Sequence, residues 1–184
     1  MITKEQIDKV KAVVRNVPDF PIPGIQFKDL TTLFKDAEAL AIMGDALEEL
    51  YEGKGITKVA GIESRGFIGG AMLAERLGAG FVPIRKPGKL PAETVQLDYE
   101  KEYGTDTIEV HKDAIDSNDV IVLHDDLLAT GGTMAAALQL VRSLKPKKVY
   151  VNFLCELTDL KGREKFPADV EVTSLFSFAG TEGK

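Results

Sequence analysis

The sequence contains a single cysteine and no long run of apolar residues. Cys155 has no partner within the chain for a disulfide, which suits a reducing compartment. It falls in the apolar run 149–155, which is typical of a strand, so we expect a buried thiol and not a nucleophile. No apolar stretch approaches the roughly 20 residues that cross a bilayer, and residues 1–6 lack the apolar core of a secretion signal. We therefore expect a cytoplasmic protein without a membrane partner.

Positive charge is also scarce, because the formal net charge is −6 at pH 7. Nucleic acid is therefore not expected as a partner, and any polyanionic substrate must meet locally basic loops. Histidine is rare as well: His111 and His124 stand far apart and lack the spacing of metal ligands. We expect His124 to be packed and neutral without a catalytic role, although it could shift the acidity of the neighbouring Asp125.

What the chain does have is the composition of an ordinary globular domain. Its 184 residues are 44% hydrophobic and 28% charged, which is enough to bury a substantial core. No internal repeat, low-complexity tract or linker interrupts it, so we expect a single domain over residues 1–184.

Two strand–helix–strand patterns predict an α/β fold with a mostly parallel, twisted sheet flanked by helices. The first comprises residues 56–84, and the second comprises residues 120–154. Their crossovers should be right-handed, and ligands bind at the carboxyl ends of strands that are joined in this way. The loops at 63–66 and 125–133 both stand at such ends, so we expect them to face one crevice.

The second of these loops has the features of a phosphate site. The apolar run 120–123 is typical of a buried strand, and a helix is predicted behind the loop by Met134, Leu138, Val141 and Leu144. Between strand and helix, adjacent glycines let backbone amides approach an anion, and the helix start adds partial positive charge. No lysine follows the glycines, which excludes a Walker A loop, and no G-x-G-x-x-G opens a helix.

Two acids, Asp125 and Asp126, precede these glycines and would repel a bare phosphate. A sugar diol that donates hydrogen bonds, or a divalent cation, would remove that conflict. The ligand that fits both features carries a 5-phosphate and a neighbouring pair of ribose hydroxyls, together with bound Mg²⁺.

The amino-terminal region combines a helix with a proline-rich arm. Thr3 and Gln6 form a capping box, and apolar spacing predicts that the helix continues to residue 17. The prolines that follow predict an extended segment over residues 17–25. Phe27 comes next, and its ring either packs against the protein or stacks on a flat heterocycle.

Residues 85–93 contain closely spaced cations, a glycine and prolines, which favour neither a helix nor a strand. One interpretation is exposed charge, and the other is a lid that closes over an anionic ligand and excludes water. Beyond it, the alternating runs 94–99 and 105–110 predict an antiparallel hairpin with its turn at 100–103.

Residues 125–133, Asp-Asp-Leu-Leu-Ala-Thr-Gly-Gly-Thr, closely resemble the phosphoribosyl-diphosphate (PRPP) signature of type I phosphoribosyltransferases, in the version found in adenine phosphoribosyltransferases. The proline-rich arm, the Arg-Lys-Pro-Gly-Lys-Leu-Pro segment and the Tyr-x-x-Glu-Tyr-Gly pattern match the same family. The resemblance implies the type I phosphoribosyltransferase fold, with residues 1–34 as an amino-terminal helix and purine hood and residues 85–104 as a mobile hairpin lid.

The resemblance also implies an activity. PRPP and adenine would give AMP and pyrophosphate in purine salvage, with Mg²⁺ carried by PRPP and a homodimeric enzyme. Glu102 and Arg65 are implied as catalytic, with Glu102 at the purine and Arg65 at the pyrophosphate. Adenine is implied to contact Gln26, Phe27, Lys28 and Leu128.

The remaining implied contacts belong to PRPP and AMP. No side chain is implied as a direct metal ligand, although Mg²⁺ would lie near the two aspartates. The loop after the first strand is implied to hold pyrophosphate through a cis peptide at Glu63–Ser64. The chain departs from the family at His124, where an apolar residue is usual, and at Lys28, where arginine is frequent. The PRPP and AMP contacts are Ser64, Arg65, Arg85, Lys86, Lys89, Asp125, Asp126, Leu127, Leu128, Ala129, Thr130, Gly131, Gly132 and Thr133.

Two other functions stay open. One is transfer to a different base, such as hypoxanthine, xanthine or orotate, although the prolyl arm argues against it. The other is a non-catalytic relative that senses a ligand and regulates transcription. That function calls for a basic DNA-binding segment, for which 184 residues with a charge of −6 leave no room.

Overall fold

The computed structural model describes residues 2–101 and 104–179. Its helices are α1 Lys4–Ala12, α2 Thr31–Phe34, α3 Ala37–Tyr51, α4 Gly66–Arg76 and α5 Gly132–Ser143. Its strands are β1 Arg15–Pro18, β2 Gln26–Asp29, β3 Lys58–Ile62, β4 Gly80–Ile84, β5 Thr94–Lys101, β6 Gly104–His111, β7 Val120–Leu128, β8 Lys148–Leu157 and β9 Val172–Phe178. Two 3-10 helices, Thr158–Leu160 and Gly162–Lys165, lie between β8 and β9.

The centre of the fold is a five-stranded sheet in the order β4-β3-β7-β8-β9. All of its strand pairs are parallel, which confirms the sheet predicted from the two strand–helix–strand patterns. The strand order reverses where β3 pairs with β7, and ligands of open α/β sheets bind outside the carboxyl ends of strands at such a point. β9 lies at one edge of the sheet.

Apolar side chains bury both faces of this sheet. On one face α5 packs Leu138 and Val141 against strand residues such as Leu123. On the other face α1, α3 and α4 contribute a second cluster that includes Met43 and Leu73. None of the helices formed by residues 2–101 and 104–179 is long and apolar enough to cross a membrane.

The amino-terminal region differs from the prediction. The capping box of Thr3 is present, but α1 ends at Ala12 and does not continue to residue 17. β1 forms instead, because its antiparallel pairing with β2 outweighs the helical spacing of the local valines. The extended arm is also wrong beyond Pro18, because Asp19 adopts a φ of 56° and accepts a hydrogen bond from the Gly24 N–H at 2.7 Å.

β7 is longer than its apolar run. Asp125 and Asp126 were predicted to begin a loop, but pairing with β8 continues to Leu128 and places both acids inside the strand. The predicted hairpin is confirmed as the antiparallel pair of β5 and β6. Its turn was predicted at 100–103, yet Glu100 and Lys101 belong to β5, and residues 102–103 lie outside the described residues.

Candidate active site

The two loops predicted to share a crevice do meet at the switch point of the sheet. Arg65 is the N-cap residue of α4 in the short loop after β3, and its Nε lies 2.7 Å from Asp126 Oδ2 of β7. Gly66 packs on the same strand, since a Cβ atom there would lie 2.8 Å from the His124 carbonyl oxygen. The Glu63–Ser64 peptide is cis, as the family resemblance implied.

A cavity opens where β7 ends and α5 begins. We call residues 129–133 the phosphate loop. Gly131 adopts a φ of 79°, a left-handed conformation that favours glycine, and it provides no side-chain cap for α5. The first amides of α5 can therefore bind an anion, and the helix dipole favours negative charge there. The cavity is lined by Asp125, Leu127, Leu128, Ala129, Thr130, Gly131, Gly132, Thr133, Met134 and Phe153.

The acid pair, Asp125 and Asp126, lies next to this loop in a region with little solvent. Burial, together with repulsion from Asp126, raises the pKa of Asp125 well above its ordinary value. Burial also raises the pKa of Asp126, although the charge of Arg65 opposes the shift. Asp126 Oδ2 is close to Arg65 but receives no well-aligned hydrogen bond, so it can accept one from a ligand hydroxyl.

A second cavity adjoins the first and shares Asp125 and Thr133 with it. Arg85 stands at its wall and forms a two-point pair with Glu63, through Nη2 to Oε1 at 2.9 Å and Nε to Oε2 at 3.2 Å. The guanidinium of Arg85 lowers the pKa of the Glu63 carboxyl. The remaining lining residues are Ile62, Ile84, Lys86, Tyr99 and Ile108.

Residues 85–91, which we call the cationic segment, are attached to β6. The backbone of Arg85 exchanges hydrogen bonds with the backbone of Glu109 at 3.0 and 2.8 Å. The Glu109 carboxylate is 2% exposed and accepts hydrogen bonds from the Lys89 and Leu90 N–H groups, each at 3.2 Å. The side chain of Lys89 stands on the exposed surface. Glu109 therefore determines the backbone path of the segment.

The hairpin also contacts the phosphate loop. Lys86 forms an ion pair with Asp106, and the Tyr99 hydroxyl donates a hydrogen bond to the same carboxylate at 3.1 Å. The Tyr99 hydroxyl also lies 3.2 Å from the Thr133 hydroxyl. A residue predicted to bind phosphate is thus connected to the cationic segment through β5 and β6.

The region implied to be a purine hood contains the antiparallel β1–β2 hairpin, whose residues do not line either cavity described above. The Phe27 ring packs edge-on against Phe20 with ring centroids 5.1 Å apart. Gln26 Oε1 accepts a hydrogen bond from Asn16 Nδ2 at 2.7 Å. Lys28 is only 6% exposed, and its Nζ lies 4.6 Å from the centre of the Phe178 ring. Its side chain therefore points into the protein, and the backbone of β2 is left to contact a ligand.

Several features of the site were not predicted from the sequence. Glu63 pairs with Arg85, and the buried Glu109 carboxylate binds the backbone of the cationic segment, although no local pattern connects these residues. Glu102, predicted as catalytic, lies outside the described residues. Within residues 2–101 and 104–179, no three histidine, cysteine or acidic side chains cluster in a way that could hold a metal ion.

Comparison with known proteins identifies the class to which this site belongs. The family model described as "Phosphoribosyl transferase domain" matches residues 29–179. The chain therefore belongs to the phosphoribosyltransferase family, and its α/β sheet flanked by helices is the type I fold that was predicted.

Within that class, the similar proteins are adenine phosphoribosyltransferases. The enzyme of Bacteroides thetaiotaomicron is 65% identical over 164 residues, which are 89% of this chain and 93% of the relative. The crystal structure of the Rhodothermus marinus enzyme has a TM-score of 0.90 at 49% identity and covers 96% of this chain and 100% of its own. The Saccharomyces cerevisiae enzyme was solved with an imino-altritol bisphosphate and adenine. Its structure has a TM-score of 0.87 at 40% identity and covers 94% of this chain and 99% of its own. The family resemblance drawn from the motifs is confirmed.

Proposed function

We infer that this enzyme transfers the 5-phosphoribosyl group of PRPP to adenine and releases pyrophosphate, giving AMP. The observation that carries this function is the meeting of the phosphate loop, the acid pair and Arg65 at one switch point. A 5-phosphate, a ribose diol and a diphosphate each find groups of suitable charge within this single crevice. The relatives named above are adenine phosphoribosyltransferases, which supports adenine as the acceptor.

The reaction breaks the bond between C1 of the ribose and the pyrophosphate oxygen and forms a bond from C1 to a ring nitrogen of adenine. Positive charge develops on the ribose while negative charge develops on the leaving group. We propose that Asp125 and Asp126 accept hydrogen bonds from the diol and stabilise the developing cation from nearby. Gly131 and Gly132 would hold the phosphate through backbone amides, and Thr130 and Thr133 through their hydroxyl groups.

The leaving pyrophosphate requires positive charge on its side of the crevice. We propose that Arg65, Arg85, Lys86 and Lys89 neutralise it, with the Ser64 backbone beside them. Mg²⁺ carried by PRPP would lie near Asp125 and Asp126 without a side chain as its direct ligand, and the negative charge of these hard oxygen groups suits a neighbouring divalent cation. Such a bound Mg²⁺ would withdraw charge from the departing diphosphate.

Adenine is proposed to lie under the β1–β2 hairpin. Phe27 would stack on the ring, the backbone at Gln26 and Lys28 would contact its edge, and Leu128 would border it from the phosphate loop. Glu102 is proposed to handle a proton on the imidazole ring of the base, or to stabilise its charge. The cytoplasmic location and the homodimer implied by the resemblance are part of the same proposal, as is the lid role of residues 85–104.

An ultraviolet assay with PRPP and Mg²⁺ tests the function, with adenine, hypoxanthine, xanthine and orotate supplied one at a time. We expect nucleotide formation with adenine and, with each other base, a rate lower by at least about a hundredfold. Equal turnover of hypoxanthine would overturn adenine as the substrate. Absence of nucleotide with every base would overturn the transferase itself.

A further inference from the structure

The stretch after β8, with its two 3-10 helices, has no assigned role in the reaction. We call residues 158–165 the clamp segment. Its Gly162 lies directly against the phosphate loop: a Cβ atom on Gly131 would lie 2.6 Å from the Gly162 carbonyl oxygen. Conversely, a Cβ on Gly162 would overlap the Ala129 carbonyl oxygen and would lie 3.1 Å from the Gly131 nitrogen. The two backbones are therefore in contact without an intervening side chain.

The same glycine also touches the wall of the cavity. A Cβ atom on Gly162 would lie 2.8 Å from Leu128 Cδ1, and Leu128 lines the cavity beside the phosphate loop. Next to the clamp segment, the Phe166 ring packs on Phe153, another lining residue, with centroids 6.2 Å apart. The clamp segment and the adjoining Phe166 thus pack against residues that line the cavity, on the side away from its opening.

Arg163 holds the clamp segment in place. Its Nε lies 3.1 and 3.2 Å from the carboxylate oxygens of Glu156, and its Nη2 donates to the same carboxylate. Its Nη1 donates to the Val172 carbonyl oxygen at 2.5 Å, which ties the segment to β9. The Glu156 side chain is largely buried and accepts a further hydrogen bond from the Ser174 hydroxyl at 3.1 Å. This polar cluster leaves Gly162 little freedom to move away from the loop.

We propose that Gly162 and the Arg163–Glu156 pair position the phosphate loop and thereby set the affinity of the enzyme for the 5-phosphate of its ligands. This inference rests on the proposed function, since it takes residues 129–133 as the 5-phosphate site. Backbone amides bind an anion strongly only when their directions are fixed beforehand, because ordering them on binding costs free energy. Glycines 131 and 132 have no side chains to fix them, so the contact with Gly162 performs that task. These are positioning residues and do not touch the ligand.

The test compares two ligands that differ only in the phosphate. We would measure the dissociation constants of AMP and adenosine by calorimetry for the wild type, Gly162→Ala and Arg163→Lys. Gly162 does not adopt a positive φ, so alanine there adds steric overlap with the loop and no backbone strain. We expect the ratio of the adenosine constant to the AMP constant to fall about tenfold in Gly162→Ala, as for one lost hydrogen bond to a charged group. Arg163→Lys keeps the charge but loses the two-point contact, so a smaller fall in the same direction is expected.

Matched controls separate positioning from general loosening of the fold. Gly80→Ala adds a methyl group at a site where the nearest atom is 3.6 Å away, and Arg142→Lys changes an arginine whose partner, Asp169, is exposed. Neither control should alter the ratio. If Gly162→Ala does not fold, Arg163→Lys decides the question. An unchanged ratio in the clamp variants, or equal weakening of AMP and adenosine, would overturn the inference. A wild type that does not prefer AMP to adenosine would instead overturn the phosphate site and the proposed function with it.

Discussion

Asp126 shows how a single charged residue can be both buried and ready for a ligand. It is 2% exposed, and burial raises its pKa while Arg65 lowers it. A buried carboxylate of this kind is costly unless it is paired, and removal of one partner leaves the other uncompensated. The Arg65 side chain is 38% exposed, which suits its proposed contact with the diphosphate of PRPP.

Replacement of this carboxylate tests its role. Asp126→Asn should lower kcat/KM for PRPP by about a hundredfold, because an amide does not stabilise a developing cation and no longer pairs with Arg65. Steady-state kinetics at saturating adenine would measure the effect. Asp169→Asn, which changes an exposed partner of Arg142, should leave kcat/KM unaltered. An active Asp126→Asn enzyme would remove the acid pair from the mechanism.

Glu102 is proposed to act on the base and not on the sugar. Glu102→Leu should therefore lower kcat by about a hundredfold, while KM for PRPP changes by less than about threefold. The matched control is Glu100→Leu, which replaces an exposed glutamate two positions away on β5. Unchanged turnover in Glu102→Leu would withdraw the assignment.

The β5–β6 hairpin is the element that organises the cationic segment. Burial by itself would raise the pKa of Glu109, but hydrogen bonds from the Leu90 N–H and the Gln96 amide outweigh burial and lower it. An ionised carboxylate is thus held inside the protein by backbone and side-chain donors. Because the Lys89 and Leu90 N–H donors belong to the segment between β4 and β5, the hairpin and the segment should move and unfold together.

Glu109→Gln should weaken that attachment. An amide group presents two donors to a site that already supplies donors, so the variant should lose about 1–3 kcal/mol in free energy of unfolding. KM for PRPP should rise, since Arg85 and Lys86 would no longer be held beside the second cavity. Urea denaturation and steady-state kinetics measure the two effects. Glu93→Gln, at the exposed partner of Lys112, is the control, and an equal response in both variants would argue against a special role for Glu109.

Across the whole molecule, a chain of buried and partly buried hydrogen bonds crosses the sheet beneath the site. His124 Nδ1 lies 2.7 Å from Asn152 Oδ1, Asn152 donates to the Thr173 hydroxyl at 2.8 Å, and that hydroxyl lies 2.7 Å from the Tyr51 hydroxyl. Because Asn152 Oδ1 only accepts, His124 carries its proton on Nδ1 and leaves a buried Nε2 without a hydrogen bond. His124 is fully buried, as predicted, and burial lowers its pKa to about 4, which favours the predicted neutral form.

This histidine should make stability depend on pH. Its pKa is lower in the folded state than the value of about 6.5 in the unfolded chain, so between those values the unfolded state binds more protons. Above pH 6.5 the neutral histidine does not reduce the free energy of unfolding. As the pH falls towards 4 that free energy declines, and at pH 5 the loss due to His124 is about 2 kcal/mol. The raised pKa values of Asp125 and Asp126 act in the opposite direction, because those acids bind protons more readily in the folded state.

The comparison must therefore be between variants and not between pH values alone. His124→Gln keeps a donor for Asn152 but does not titrate, so its stability should fall less than that of the wild type between pH 7 and pH 5. Urea denaturation at both pH values gives the difference in slope. Identical pH dependence in the two proteins would show that His124 is not the group responsible. His124→Val should retain activity, because His124 has no proposed contact with the substrate.

Local patterns in the chain were enough to predict the parallel sheet, the helix behind the phosphate loop, the β5–β6 hairpin and the family. Apolar periodicity and short motifs such as residues 125–133 act over distances of a few residues along the chain, so a single sequence displays them. They were less able to place boundaries: α1 stopped at Ala12 and β7 ran to Leu128, because pairing with a neighbouring strand outweighed local spacing.

The residues that hold the site in shape depended on contacts made after the chain had folded. Glu63 meets Arg85 from 22 positions away, Glu109 receives the Leu90 N–H from 19, and Gly162 reaches the phosphate loop from beyond β8. No period or motif marks such partners, because their interaction arises from the order of strands in the sheet and the close approach of two backbones. The short motif at residues 125–133 was therefore enough to predict the chemistry of the site. The geometry of the site was decided by packing between segments that are distant in the sequence.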